Sequence, residues 1–353
     1  MAGQQRGCGR GPWPGTRAGH AAVMPATHRP RATAEHVRRV LGGDPVTVAA
    51  VLASGVTPGQ LRAAVSSGVL VRLRHGVVGL PGTVDQGPVR SLGGEGDRPA
   101  RPRDEDAWAQ RRDEHSRAAR SALLALSADT VVSHASAAVL LDLPLARIGD
   151  WPADVWVTAP RHGRVVAGTH RRLGVVPTVD VTEVAGVRCT AAARTALDLA
   201  RRRPLQHSLV ALDVVARRDG IDALWSAYDR LTWQRDRRAL REALGVADGR
   251  SESPLESASR GVMLRAGLPR PELQVWLTDR SGHPHRVDFL WRDRGVVGEA
   301  DGWGKYAGIE DVRAEKRRED ALRELGLTVV RWTSDEIGRT PNLVVARLRR
   351  ALE

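Results

Sequence analysis

Val287-Asp288-Phe289-Leu290-Trp291-Arg292-Asp293-Arg294-Gly295-Val296-Val297-Gly298-Glu299-Ala300-Asp301-Gly302 reads as two strands joined by a tight turn, and both strands carry acids. With Arg292-Asp293-Arg294-Gly295 as the hairpin loop, Trp291 faces Val296 and Asp288 falls opposite Glu299. Side chains paired across a hairpin share a face, a few ångströms apart. Asp301 joins that face through the two-residue period of its strand. Like charges so close raise one another's pKa and push the strands apart. Apolar strands bury such acids only when they are paired or bind a cation. A divalent cation removes the repulsion, and oxygen-only ligands suit Mg²⁺ or Mn²⁺. Glu256 and Lys305, one of only two lysines, lie close enough in sequence to join the set.

The flanking segments give the hairpin a context. Ser253-Pro254-Leu255-Glu256 reads as a capping box with Pro at the first helical position, opening a helix that runs to Gly267. Leu273 to Leu277 alternates as a strand, and Ser281-Gly282 turns the chain into the hairpin. Residues 310–325 form a charged amphipathic helix with Val312, Leu322 and Leu325 inward. Leu327 to Trp332 has the continuous apolar character of a strand buried on both faces. Thr333-Ser334-Asp335-Glu336 then caps a last helix ending near Leu352. The order is helix, three strands, helix, strand, helix. Arg317, Arg318 and Asp320 read as a solvated helix face.

The 353 residues suffice for two or three domains. No run approaches a membrane span. Residues 1–30 carry no acid, lack the apolar core of a secretory signal, and read as a disordered tail. Cys8 and Cys189 are the only cysteines, so a structural disulfide is not expected and a reducing cytoplasm fits. The net charge is +13, while residues 251–353 hold 18 basic and 17 acidic side chains. The excess therefore sits upstream, which points to a polyanionic partner with DNA as the default. Arginine dominance through genomic base composition is the bland alternative.

Upstream, residues 31–81 read as a small helical module with a wing. Ala34 to Leu41 and Thr47 to Ala53 are helical, and Thr57-Pro58-Gly59-Gln60 opens a third helix that stops at Gly68. Leu70 to Leu80 alternates and turns. This winged helix-turn-helix order is a DNA-docking arrangement. Arg62 could face a groove, and Arg72, Arg74 and His75 could reach phosphates. Residues 82–105 read as a linker. Residues 106–248 read as a mixed α/β domain. Helices are expected at 118–126, 135–141, 205–217, 221–231 and 236–244, with strands at 154–158, 169–171 and 187–190. Ser133 and Thr190 are expected to cap helices, and Arg194 and Asp198 to form a helical ion pair. Overall the chain is α/β in composition and α+β in arrangement.

The acids on the second and third strands, with Glu256 on the first helix, resemble the PD-(D/E)XK nuclease superfamily. Glu299-Ala300-Asp301-Gly302, Arg317-Arg318-Glu319-Asp320 and Val330-Arg331-Trp332 look like its very-short-patch-repair branch. This likeness covers residues 251–353, a restriction-endonuclease-like αβββαβ domain. The winged segment, Ser133 to Ala138, and Thr190 through Arg194-Thr195 to Asp198 resemble AbiEi-type antitoxins. The resemblance implies that Asp288 and Glu299, with Glu256, hold Mg²⁺ or Mn²⁺. It also implies a lysine two residues after the second acid, where this chain has Asp301; Lys305 could reach back in its place, or Arg317 or Lys316 could approach from the helix. Two functions follow as expectations. One is a DNA-binding, metal-dependent endonuclease. The other is an antitoxin or repressor that acts on its own promoter or a cognate toxin, with an inactive nuclease-fold domain. A third class is a protein that neutralises a toxin by contact alone.

Overall fold

Apolar residues recur at helical spacing in some segments and in alternation in others, and the computed structural model shows both resolved into an α+β chain. The structure describes residues 29–81, 105–146, 150–163, 166–302 and 309–353. The expected linker and nearly all of the expected tail, with Cys8 and Lys305, lie outside the described residues.

The N-terminal unit holds α1 (Arg29–Leu41), β1 (Val46–Thr47), α2 (Val48–Ala53), α3 (Pro58–Ser66), β2 (Val71–Arg74) and β3 (Val77–Gly79). The strands form a sheet in the order β1-β3-β2. The capping box at Thr57 and Gln60 is present, with both reciprocal hydrogen bonds made. Val37, Val51, Leu61, Ala64, Leu70 and Val78 form its core. Arg62, Arg72 and His75 are exposed.

The middle unit begins at α4 (Glu105–Leu124), earlier than expected, and continues with β4 (Val131–Val132), α5 (His134–Leu140), β5 (Val155–Ala159), β6 (Thr169–Leu173), β7 (Val181–Val184) and β8 (Val187–Thr190). Four helices follow: α6 (Ala192–Ala200), α7 (Leu205–Asp219), α8 (Ile221–Asp229) and α9 (Arg237–Leu244). The strand order is β6-β5-β4-β8-β7. Ser133 stands at the N-cap of α5 without a side-chain cap hydrogen bond, and the N-cap of α6 is Ala191 in place of Thr190. The Ser133 hydroxyl accepts from Thr158 at 2.8 Å, and the hydroxyls of Thr190 and Thr195 bond each other at 2.7 Å. The Arg194–Asp198 ion pair is present at 3.1 Å and nearly fully buried.

The C-terminal unit comprises α10 (Pro254–Arg265), β9 (Glu272–Thr278), β10 (Pro284–Trp291), β11 (Val296–Asp301), α11 (Ile309–Glu324), β12 (Thr328–Thr333), α12 (Ser334–Arg339) and α13 (Pro341–Leu352). The strand order is β12-β11-β10-β9, with β11 and β12 parallel. The element order matches the expectation from sequence, with two corrections. The last helix is broken at Thr340-Pro341, because proline has no amide N–H to continue the ladder. β12 is an edge strand on which only Trp332 is buried, so its apolar run does not mean burial on both faces.

Two layers of core flank this sheet. Val262, Met263, Phe289, Trp291, Val296, Ala300 and Trp332 meet α10, α12 and α13 on one side. Val287, Leu290, Val297 and Leu322 meet α11 on the other. Gly298 lies under the Trp332 ring, where an added Cβ would come within 2.6 Å of it. A larger residue there would displace the strand that carries Glu299.

Candidate functional site

The hairpin register is the one read from sequence: Trp291 pairs with Val296, Leu290 with Val297 and Phe289 with Gly298. The backbone ladder then ends, one step before Asp288 and Glu299. In its place the Asp288 carboxylate accepts the Ala300 amide at 2.8 Å. A side chain thus takes a hydrogen bond that the neighbouring backbone would otherwise make. The strand on the other side is disturbed at the same level. β9 pairs with β10 at Val275↔Val287 and again at Leu273↔Phe289, and between them Gln274 adopts φ +55°. Leu273 and Phe289 belong to the core under α10, whereas Val275 and Val287 belong to the core under α11. Alternation by two therefore breaks at the Gln274–Asp288 level. A non-glycine residue in the left-handed region costs on the order of 1–3 kcal/mol and persists where its surroundings enforce it.

The strained Gln274 links two acids. Its Nε2 donates to Glu256 Oε2 at 2.7 Å and to Asp288 Oδ1 at 3.3 Å. Glu256 stands in the first turn of α10, where Ser253 accepts its amide at 3.1 Å. Only that half of the expected capping box forms. The Glu256 carboxylate turns instead to the Glu252 amide, at 2.8 Å, and to Gln274. Burial pushes the Glu256 carboxyl above its usual range and the Asp288 charge adds to this, while the hydrogen bonds from Glu252, Ser253 and Gln274 oppose it.

Glu299 is 2% exposed and takes a different partner, Arg318 of α11, at 2.8 Å. Arg318 also donates to the Arg286 carbonyl. Burial raises the Glu299 carboxyl to about 7, with Asp288 adding to the shift and Arg318 and Arg331 opposing it. Asp301 pairs with Arg331 at 3.3 Å, and Arg331 reaches Glu319 at 3.4 Å. The candidate residues therefore form two hydrogen-bonded groups that meet at Asp288. One is Glu256–Gln274–Asp288, and the other is Glu299–Arg318 with Arg331 and Asp301 alongside. Among the described residues, no group of three or more His, Cys, Asp or Glu side chains is arranged to hold a metal ion.

Sequence reasoning missed three members. Gln274 gives no signal beyond a polar position in an alternating strand. Arg331 figures only within the Val330-Arg331-Trp332 likeness, with no role attached to it. Arg318, expected on a solvated face, is half-buried and ion-paired, whereas Arg317 and Asp320 are exposed. On the N-terminal unit, Arg62, Arg72 and His75 face solvent, but Arg74 donates to the Ala167 carbonyl of the middle unit. Arg74 acts there as a contact between units and not as an exposed cation.

Among the described residues no helix is long and apolar enough to cross a membrane. No family model matches the chain. Over 187 residues it is 37% identical to two proteins of Mycobacterium tuberculosis, Uncharacterized protein Rv2248 of strain H37Rv and Uncharacterized protein MT2308 of strain CDC 1551, a match spanning 52% of this chain and 67% of each relative. At that identity and coverage, the chain belongs to the family of these two mycobacterial proteins.

Proposed function

We propose that the protein binds DNA and that its C-terminal unit is a Mg²⁺- or Mn²⁺-dependent endonuclease-like domain hydrolysing DNA phosphodiesters. The observation that carries this reading is the junction at Asp288. There the ladder stops, a strained Gln274 ties two carboxylates together, and a third buried carboxylate sits on the next strand. This supports the likeness to the PD-(D/E)XK nucleases and their very-short-patch-repair branch. The donors are oxygen atoms of the kind a hard divalent cation takes. Glu256 and Asp288 would hold the cation, joined by Glu299 on exchange of its Arg318 partner. Such a cation supplies charge stabilisation to a phosphodiester under attack. The chain's own residues do the rest. Gln274 holds the first two carboxylates at one place, and Glu299, poised near 7, holds or releases a proton at neutral pH. On that exchange Arg318 would turn to the developing phosphate charge; Lys305, which lies outside the described residues, is the cation that the resemblance implies there. The test is nicking of supercoiled plasmid with added Mg²⁺ or Mn²⁺. Wild type should nick, and Asp288→Ala and Glu299→Ala should each abolish nicking. Plasmid left intact by excess wild-type protein in Mn²⁺ overturns the reading.

A second reading is favoured by one observation. The position where that superfamily has lysine is Asp301, and it is bound to Arg331. On this reading the protein is an AbiEi-like antitoxin and transcriptional repressor with an inactive nuclease-fold domain, acting on its own promoter or a cognate toxin. Residues 31–81 would then bind the upstream DNA tightly and the plasmid would stay intact. Both readings place the protein in the cytoplasm.

A further inference from the structure

A cleft of about 400 Å³ opens in the middle unit, remote in sequence from the acids of the C-terminal unit. Its walls come from His134 at the start of α5, Trp156 on β5, Arg172 on β6, and the end of α6 with its following loop, Asp198 to Arg203. The lining carries spare positive charge. Asp198 is neutralised by buried Arg194, and Arg203 pairs with Asp150 at 3.2 Å. Arg201 and Arg202 share one carboxylate, that of Asp236, at 3.3 and 2.9 Å. Arg172 has no carboxylate partner among the described residues, and its guanidinium sits over the Trp156 ring at 5.1 Å.

His134 adds a neutral donor. The Thr158 hydroxyl donates to Ser133 Oγ at 2.8 Å, and Ser133 Oγ lies 2.9 Å from His134 Nδ1. With its oxygen accepting from Thr158, the Ser133 hydroxyl is placed to donate to Nδ1, and in that tautomer the His134 proton stands on Nε2 as a donor. Burial keeps the imidazole below its usual pKa, Asp198 opposes this, and the charges of Arg172, Arg194 and Arg201 reinforce it. The backbone is strained at the same place. His134 has φ +53° and Arg202 has φ +61°, so two of the six non-glycine residues in the left-handed region, among those described, line this one cleft. Arginines after α6 also offset the negative end of that helix, which is the bland account of Arg201 to Arg203. That account covers neither Arg172, which is on a strand, nor the strain at His134.

We propose that this cleft binds a phosphorylated small molecule of about nucleotide size, its phosphate held by Arg172, Arg202 and His134 Nε2–H. The volume falls in the range of small-molecule sites. Guanidinium groups with unused donors suit phosphate oxygens. The test is calorimetric titration of the full chain with inorganic phosphate, adenosine 5′-monophosphate and adenosine. Both phosphate-bearing probes should bind saturably and adenosine should not. Arg172→Ala should weaken the monophosphate about tenfold, while Glu299→Ala should leave it unchanged. Arg172→Gln keeps the side-chain stem over Trp156, so it provides the same reading should the alanine variant fail to fold. Absence of saturable binding overturns the proposal. So does equal affinity in the Arg172 variants, or adenosine binding as tightly as the monophosphate. A 5′-phosphorylated oligonucleotide that binds where the monophosphate does not would also overturn it, assigning the cleft to nucleic acid.

Discussion

Glu299 shows how one buried acid couples stability to pH. Its carboxyl moves from an ordinary 4.5 to about 7 because burial disfavours the charged form more than Arg318 restores it. The folded chain therefore holds this proton over a range where the unfolded chain has released it. The resulting stabilisation is full below about 4.5 and is lost as pH rises through about 7. Its size is on the order of 3 kcal/mol. Glu299→Gln cannot titrate, so the fall in stability of the wild type between pH 5 and pH 8 should shrink in the variant by about that amount. Urea melts at several pH values measure it, and parallel curves for the two proteins would refute the coupling. Arg318→Ala should push the carboxyl higher still and extend the fall past pH 7. The partnership was partly readable beforehand. Arg318 lies four residues before Leu322, and residues at that spacing share a helix face. An inward Leu322, fully buried here, thus implied an inward Arg318.

The join between α7 and α10 rests on close approach. Gly261 of α10 faces Gln206 of α7, and an added Cβ would come within 2.3 Å of the Gln206 Cα. Gly→Ala inside a helix normally stabilises by about 1 kcal/mol. Here the backbone contact reverses the sign, and Gly261→Ala should destabilise by about 1–3 kcal/mol, read as a lower melting temperature. A rise would show that the helices yield. Beside it, Arg260 donates to Asp213 at 2.6 and 2.7 Å, with both side chains almost wholly buried. Asp213→Ala should cost about 3–5 kcal/mol, because it strands a buried guanidinium. Local signals foretold much of this architecture. The caps at Thr57, Ser253 and Thr333 are where the sequence puts them, and so is the Trp291–Val296 turn. What escaped reading depends on contacts made after the chain folds. β7 is a four-residue strand whose pairing with β8 comes from a turn at Ala185-Gly186. The φ of Gln274 is imposed by the Glu256 and Asp288 oxygens that it joins, and no residue near it in sequence announces them.

Charge is unevenly spread along the chain, and the structure sorts the cations by availability. Residues 251–353 are nearly neutral, so the net +13 belongs mostly to the residues before them. Many arginines there are already committed: Arg194 to Asp198, Arg230 to Asp180, Arg74 to the Ala167 carbonyl. On the N-terminal unit Arg62 and Arg72 are exposed, as is His75. If this unit docks on DNA, these exposed groups carry the phosphate interactions, and Arg74 carries the connection to the middle unit. The two roles separate by salt. Deleting one cation that neutralises a phosphate should lower the slope of log affinity against log salt by about 1. Arg62→Ala with Arg72→Ala should therefore flatten the slope by about 2 and weaken binding most at low salt. Arg74→Ala should leave the slope near that of the wild type, and should instead loosen the junction at Ala167, seen as faster amide exchange around Gly168. Fluorescence anisotropy of labelled duplex DNA across a salt series distinguishes them. A slope that falls as far for Arg74→Ala as for either exposed arginine would place Arg74 on the DNA and remove the assigned division of labour.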